Sequence, residues 1–129
     1  MEATHHLKYA LLEDEYLTGR YLQATVSELR PAYMMCASGD SVKHIAHIII
    51  NKRPDFIISG IRLSDGLTPA EFKRLGCNLP TVFFTAYADC IPQLEGLNVV
   101  HSALKPISKC EVEIAMEKIE ALLAARSRR

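Results

Sequence analysis

Residues 53–66 read RPDFIISGIRLSDG, and this stretch indicates the fold of the chain. Within the segment Asp55–Ser59, the continuous apolar run Phe56–Ile58 predicts a strand that is covered on both faces of a sheet. Gly60 and Gly66 follow and predict a loop at the carboxyl end of this strand. In an open parallel sheet, ligands bind outside the carboxyl ends of the strands. We therefore expect the chemistry of this chain to depend on position 60, where no side chain stands.

Strand-like and helix-like segments alternate along the whole chain. Five such repeats predict a doubly wound, five-stranded parallel sheet with helices on both faces, in one domain over residues 1–129. Residues 7–125 are expected to be structured, with 126–129 a tail or the start of a linker. The predicted strands are Leu7–Leu12, Tyr33–Ala37, Asp55–Ser59, Thr81–Thr85 and Val99–Leu104, and the predicted helices are 16–29, 42–51, 68–75, 89–95 and a last helix from 109 onward.

Local signals predict where the helices begin and end. The first helix is predicted from Leu17, Tyr21, Ala24 and Val26, which recur near helical spacing, and Pro31 ends it. The predicted N-terminal caps of later helices are Asp40 or Ser41, then Thr68, then Ser108, with a glutamate three residues after each of the last two.

Composition excludes several classes of function. The chain has 129 residues, of which 49% are hydrophobic, and 15 basic residues balance 15 acidic ones, so no strong field favours nucleic acid or a membrane surface. The apolar runs are too short for a membrane span, and no secretory signal pattern is present. The four cysteines have no metal-binding spacing, which favours free thiols in a reducing cytoplasm; they are Cys36, Cys77, Cys90 and Cys110.

Four groups follow the predicted strands and should meet at one edge of the sheet. Glu13 and Asp14 follow the first strand, Gly60 the third, Thr85 ends the fourth, and Lys105 with Pro106 follows the fifth. Each is a weak signal alone, because acidic turns and surface lysines are common. Together, in this order after the strands of a parallel sheet, they are a strong signal of a shared site.

With these groups in place, the chain resembles the receiver domain of two-component response regulators over nearly its whole length. The matching segments are LLEDEYLTGRYL, RPDFIISGIRLSDG, VFFTAYA and ALKPIS. The segment TAYADCIPQLEGLNVVHSALKPIS is similar to receivers found ahead of LytTR-type DNA-binding domains. The resemblance implies the flavodoxin-like fold with strand order 2-1-3-4-5.

The resemblance also implies roles for the residues at that edge. An aspartate after strand three would accept a phosphoryl group, and Glu13 and Asp14 would help to bind Mg²⁺. Thr85 and Lys105 would contact the phosphoryl group, and the Lys105–Pro106 bond would be cis. Three positions depart from the pattern: Gly60 replaces the acceptor aspartate, Ser102 replaces the switch aromatic residue, and Ser64 replaces a proline.

Glycine at position 60 has a direct chemical consequence. A protein acceptor of a phosphoryl group needs a nucleophilic oxygen, and Mg²⁺ needs oxygen ligands, usually carboxylates and waters. We therefore expect no phosphorylation at residue 60, weak Mg²⁺ binding at best, no other cofactor and no enzymatic activity. With its usual partner missing, Lys105 is predicted to pair with Asp14 or Glu13.

Two alternatives stay open from the sequence. Asp65 or Ser59 could accept a phosphoryl group, although strand alternation turns Ser59 away from the pocket. The space beside Thr85 and Lys105 could instead bind a small anion or other ligand, which would make the chain a ligand sensor.

The remaining histidines carry no catalytic or metal-binding pattern. His44 and His47 lie three residues apart on a predicted helix but have no third ligand, so we expect exposed helix histidines. His5 and His6 belong to the N-terminus, and no nucleophile-and-base set can be assembled around His101.

The expected partners are proteins: a sensor kinase, an output domain or a second copy of the chain. The resemblance implies a contact face built from the fourth helix, fifth strand and fifth helix, approximately Asp89–Glu95, Val99–Ser102 and Glu111–Ala124. No direct contact with nucleic acid or a membrane is expected.

Overall fold

The computed structural model describes residues 6–127, and its five long strands form one parallel sheet. The strands are β1 Lys8–Leu12, β2 Met34–Gly39, β3 Phe56–Ser59, β4 Thr81–Thr85 and β5 Val99–Leu104. Their spatial order is β2-β1-β3-β4-β5, so the predicted flavodoxin-like fold and strand order are confirmed.

Helices connect the strands and cover both faces of the sheet. They are α1 Tyr16–Leu29, the composite helix α2 over residues 42–52, α3 Thr68–Leu75, a 3-10 helix Ala88–Leu94, and α4 Lys109–Ser127. A short antiparallel ladder between Arg62–Leu63 and Gly66–Leu67 follows β3. None of the helices within residues 6–127 combines the length and the apolar character that crossing a membrane requires.

Strand β3 lies at the centre of the sheet and is buried along its full length. Phe56 and Ile58 face one core with α1 and α4, whereas Ile57 faces a second core with α2 and α3. Alternating side chains on a strand point to opposite faces, so a strand covered on both sides needs apolar residues at every position. The continuous apolar run predicted this burial correctly.

Helix α1 packs on the sheet through a different face from the one that its sequence suggests. Its buried residues are Leu22, Thr25 and Val26, whereas Leu17 is 79% exposed and Tyr21 is 39% exposed. The helix bounds were predicted correctly, but three of the four residues that predicted the helix, namely Leu17, Tyr21 and Ala24, are on its outer surface. Leu22 and Val26, four residues apart, form the row that meets the core, so α1 carries two apolar rows.

The cap of α2 comes from a distant residue and not from Asp40 or Ser41. The Asp65 carboxylate accepts hydrogen bonds from the backbone N–H of Val42 at 2.7 Å and of Lys43 at 3.3 Å. Ser41 stands at the N-cap position, but its side chain makes no capping hydrogen bond. The sequence-based assignment of this cap was therefore wrong, because the loop after β3 supplies the acceptor.

The cap predicted for α3 is wrong as well, whereas the one predicted for α4 is confirmed. Helix α3 begins at Thr68 with Leu67 as its N-cap residue, and the buried Thr68 hydroxyl donates to the carbonyl oxygen of Gly60 at 2.7 Å. The Ser108 hydroxyl accepts a hydrogen bond from the N–H of Glu111 at 3.1 Å. Arg126 and Ser127 continue α4, and Arg128 and Arg129 lie outside the described residues.

Helix α2 is irregular, and the residue that follows it is strained. A 3-10 turn, one α-helical turn and a π-helical turn succeed each other, and Arg53 after them has φ 47° and ψ 58°. This left-handed conformation brings the β-carbon of a residue other than glycine close to its own backbone, at a cost of about 1 kcal/mol. Glycine is the usual residue at this place after a helix.

We expect Arg53→Gly to raise the free energy of unfolding by about 0.5–1 kcal/mol, because glycine removes this steric cost. Urea unfolding at an unchanged slope measures the gain. Arg53→Ala is the matched control, because it removes the same exposed guanidinium but keeps the β-carbon. An equal gain in both variants would contradict the conformational explanation.

Candidate functional site

The carboxyl edge of the sheet brings Glu13, Gly60, Thr85 and Lys105 together through backbone hydrogen bonds. The N–H of Gly60 donates to the carbonyl oxygen of Leu12 at 2.8 Å, and the N–H of Lys105 donates to that of Thr85 at 2.8 Å. Neighbouring parallel strands thus align their ends and place the residues that follow them side by side. The groups singled out in the sequence therefore share one site, apart from Asp14.

Lys105 is held by two glutamates at this site. Its Nζ lies 3.1 Å from Oε2 of Glu13 and 2.6 Å from Oε1 of Glu15. The side chains of Lys105 and Glu13 are 17% and 3% exposed, whereas that of Glu15 is 60% exposed. The predicted ion pair of Lys105 thus forms with Glu13. No ion pair joins Lys105 to Asp14, which is exposed.

Glu15 is the residue that the sequence reasoning missed. It belongs to the same acidic run as Glu13 and Asp14, but only the first two were assigned to the pocket. The N–H of Glu15 donates to Oε2 of Glu13 at 3.1 Å, which turns the chain so that the first and third acids meet the lysine. The middle acid points to solvent for the same reason. Three consecutive acids after a strand could have suggested this alternation.

The carboxylate of Glu13 lies against the position that an acceptor side chain would occupy. A β-carbon built on Gly60 would stand 3.2 Å from Oε1 of Glu13, closer than an ordinary van der Waals contact. This Oε1 is buried and has no hydrogen-bond partner among the described residues. The space that glycine leaves is therefore bordered directly by a negative charge.

Burial and pairing act in opposite directions on these ionisable groups. Burial raises the pKa of Glu13, and the hydrogen bond and charge of Lys105 offset part of that rise. Burial also acts against the Lys105 ammonium, but the hydrogen bonds that it donates to Glu15 and Glu13 outweigh this effect and raise the pKa of the lysine. The same lysine lowers the pKa of Glu15. We conclude that the ammonium stays charged and that its positive charge is neutralised within the chain.

Thr85 and the Lys105–Pro106 bond complete this edge of the sheet. Thr85 is buried, and its Oγ1 accepts a hydrogen bond from the N–H of Tyr87 at 3.1 Å. The Lys105–Pro106 peptide bond is cis. Ser102 lies exposed on β5, so no aromatic ring is available there to alternate between an inner and an outer position.

Solved structures of receiver domains superpose on this chain over most of its length. The receiver domain of an HD domain-containing protein from Pseudomonas fluorescens is 14% identical and superposes with a TM-score of 0.79, over 93% of this chain and 98% of that one. The receiver domain of a modulated diguanylate cyclase from Desulfovibrio desulfuricans is 22% identical, with a TM-score of 0.70 over 89% and 97%. The chain has the receiver fold.

A longer protein shows the same likeness over part of its length. The response regulator PhyR from Brucella abortus is 16% identical, with a TM-score of 0.76 over 98% of this chain and 54% of that one. This chain therefore spans only about half of PhyR. No protein-family model matches the chain.

The receiver fold implies a Mg²⁺ site at this edge, but the residues present do not fit one. Gly60 offers no ligand, Asp14 is exposed, and one oxygen of Glu13 already binds Lys105. Within residues 6–127 no group of three or more His, Cys, Asp or Glu side chains could hold a metal ion. An octahedral cation needs more anionic oxygen at this point than the chain supplies.

Asp65 and Ser59, the two alternative acceptors of a phosphoryl group, form hydrogen bonds with other parts of the chain. Hydrogen bonds from the N–H of Val42 and Lys43 hold the Asp65 carboxylate and lower its pKa. The buried Ser59 hydroxyl donates to the carbonyl oxygen of Gly60 at 2.6 Å and lies beside Thr68. Neither is directed at Lys105, which is held by Glu13 and Glu15.

The histidines on α2 are exposed. His47 lies 2.9 Å from the amide of Asn51, and His44 lies 4.0 Å from Asp40. His101 on β5 bridges Glu111 and Lys118 of α4, at 2.7 Å and 3.0 Å. His6 is exposed, and His5 lies outside the described residues.

Proposed function

We propose that this chain is a receiver-like signalling module that is not phosphorylated at the usual position and that acts through contacts with other proteins. One observation carries the proposal: Lys105 is bound by Glu13 and Glu15, and Gly60 stands where an acceptor would be needed. The module has no catalytic residue of its own in this proposal.

The chemistry of phosphoryl transfer supports this proposal. Transfer requires an oxygen in line with the phosphorus and a positive charge that is free to meet the charge developing in the transition state. Here the oxygen is missing, and the ammonium already contacts two carboxylates. An incoming phosphoryl group would also meet the buried carboxylate of Glu13. The same charge disfavours the ligand-sensor alternative, because an anion would have to displace Glu13 from Lys105.

Since phosphoryl transfer and ligand binding are disfavoured, such a module would act through contacts with other proteins. Its partner would be a sensor kinase, an output domain or a second copy of the chain, as a component of a two-component system in the cytoplasm. The likeness of residues 85–108 to LytTR-associated receivers supports a role beside a DNA-binding output domain. In that arrangement the output domain, and not this module, would contact DNA.

The proposal predicts that a small-molecule phosphodonor with Mg²⁺ leaves the intact mass of the chain unchanged. The Gly60→Asp variant is the positive control, because it restores a carboxylate beside Thr85 and Lys105. A phosphoryl adduct on the unaltered chain would overturn the proposal. Asp65→Asn and Ser59→Ala would then identify the acceptor, since only the substitution of the true acceptor abolishes the adduct.

A further inference from the structure

The outer surface of α1 carries an apolar row that the rest of the described chain leaves partly exposed. Leu17 and Tyr21 are 79% and 39% exposed, and Ala24 continues the row one turn later. The opposite side of the helix buries Leu22 and Val26 in the core. A helix that is apolar on two sides is typically packed on two sides. A shallow hollow lined by Arg20, Gln23, Ala24 and Ser27 lies within this outer surface.

The charges beside this row are arranged symmetrically about Ala24. Arg20 precedes it by four residues and Glu28 follows it by four, so both lie on its face of the helix. Arg20 donates to the Tyr16 hydroxyl at 3.0 Å, and Glu28 pairs with Lys109 at 2.6 Å. Both charges are exposed. Exposed pairs of this kind contribute little, so they leave the two charged groups open to a further partner.

We propose that this surface binds the same surface of a second copy of the chain, with the two α1 helices antiparallel and a twofold axis beside Ala24. In that arrangement, a residue four positions before Ala24 meets the residue four positions after it in the partner copy. Arg20 therefore faces Glu28 of the second copy, and the contact occurs twice. Tyr21, three positions before Ala24, faces Ser27 and enters the hollow, while the small Ala24 lets the helices approach closely.

Self-complementarity favours a second copy over an unrelated partner. A twofold interface requires a patch that matches itself, and both the charges and the tyrosine-and-hollow pair of α1 satisfy that condition. Helix α1 has 14 residues and is about 21 Å long. One helix pair of this length falls below the size of a standard stable interface, so we expect a dissociation constant of about micromolar or weaker. The inference rests on the proposed function only in that both need protein contact.

Sedimentation equilibrium over a range of concentrations, with charge-reversal variants, tests this dimer. Arg20→Glu and Glu28→Arg should each weaken the dimer by roughly thirtyfold, because two attractive contacts become repulsive. The double variant Arg20→Glu/Glu28→Arg restores both contacts and should recover most of the affinity. Lys52→Glu, a reversal of an exposed charge on α2, is the matched control and should change nothing. Circular dichroism shows whether each variant is folded.

Recovery in the double variant would establish the antiparallel arrangement, because an unrelated fault in either single variant could not be repaired by the other. A chain that stays monomeric at millimolar concentration would overturn the inference. So would a dimer that survives Arg20→Glu, since that dimer would use another face, such as the one formed by β5 and α4. None of these results depends on phosphorylation, so failure here is distinct from a phosphoryl adduct that would overturn the proposed function.

Discussion

Replacing Gly60 with aspartate should lower the free energy of unfolding by about 2 kcal/mol in metal-free buffer. The backbone at Gly60 is not left-handed, so it can accept a side chain, but a β-carbon would lie 3.2 Å from Oε1 of Glu13. The new carboxylate would face the Glu13 carboxylate, whose side chain is only 3% exposed, with Lys105 as the only cation that contacts Glu13 among the described residues. Urea unfolding with and without chelator measures the loss.

Millimolar Mg²⁺ should recover most of that loss in Gly60→Asp and should leave the unaltered chain unchanged. A cation can bridge two carboxylates that otherwise repel, and a ligand that binds only the folded state stabilises it. Gly60→Asn is the matched control: it has the same size but no charge, so it should show the steric part of the loss and no response to Mg²⁺. A Gly60→Asp variant as stable as the unaltered chain without metal would contradict this explanation. It would show that the Glu13 carboxylate moves away freely and does not disfavour a side chain at position 60.

The fold could be predicted from the sequence because its signals are local. The apolar run Phe56–Ile58 and the β-branched and aromatic content of Thr81–Thr85 depend on neighbouring residues alone. The bounds of β5 and α1 agree with the predicted ones for the same reason. The meeting of Glu13, Gly60, Thr85 and Lys105 follows from the parallel topology, which aligns the carboxyl ends of the strands.

The features that were missed depend on contacts between residues distant in the sequence. Asp65 caps α2 from 23 positions away, and Lys105 selects Glu15 over Asp14 from 90 positions away. In both cases the sequence offers several side chains that could accept the hydrogen bond equally well. The three-dimensional path of the chain determines which of them does. The outer row of α1 is a different case. Spacing alone shows that Leu17 and Tyr21 share a face, but it does not show which of two apolar faces meets the sheet.

Removing the guanidinium of Arg30 should produce the other large effect, a loss of about 2 kcal/mol at neutral pH. Arg30 follows α1 and joins it to α4, with two hydrogen bonds to Glu113, at 2.9 Å and 3.0 Å, and two to Glu120. The Tyr33 hydroxyl also donates to Glu120. The side chain of Arg30 is 20% exposed and those of the glutamates 33% and 26%, so solvent screens the ion pairs in part. Arg30→Met keeps the aliphatic stem but leaves two carboxylates on one face of α4 without their counter-charge.

The loss in Arg30→Met should depend on pH in a defined direction. Hydrogen bonds from Arg30 hold the pKa of Glu113 below its usual value, so the stability that this pair contributes is present above the unfolded-state pKa of about 4.3. It disappears as the pH falls through the lower pKa of the folded state, because the carboxyl group then takes up a proton. The difference between Arg30→Met and the unaltered chain, measured by urea unfolding, should therefore be largest near pH 7 and should shrink below about pH 4. Arg30→Lys keeps the charge but loses the paired geometry, and it should lose about half as much. A deficit that is constant with pH would show that Arg30 acts through packing of its stem and not through its charge.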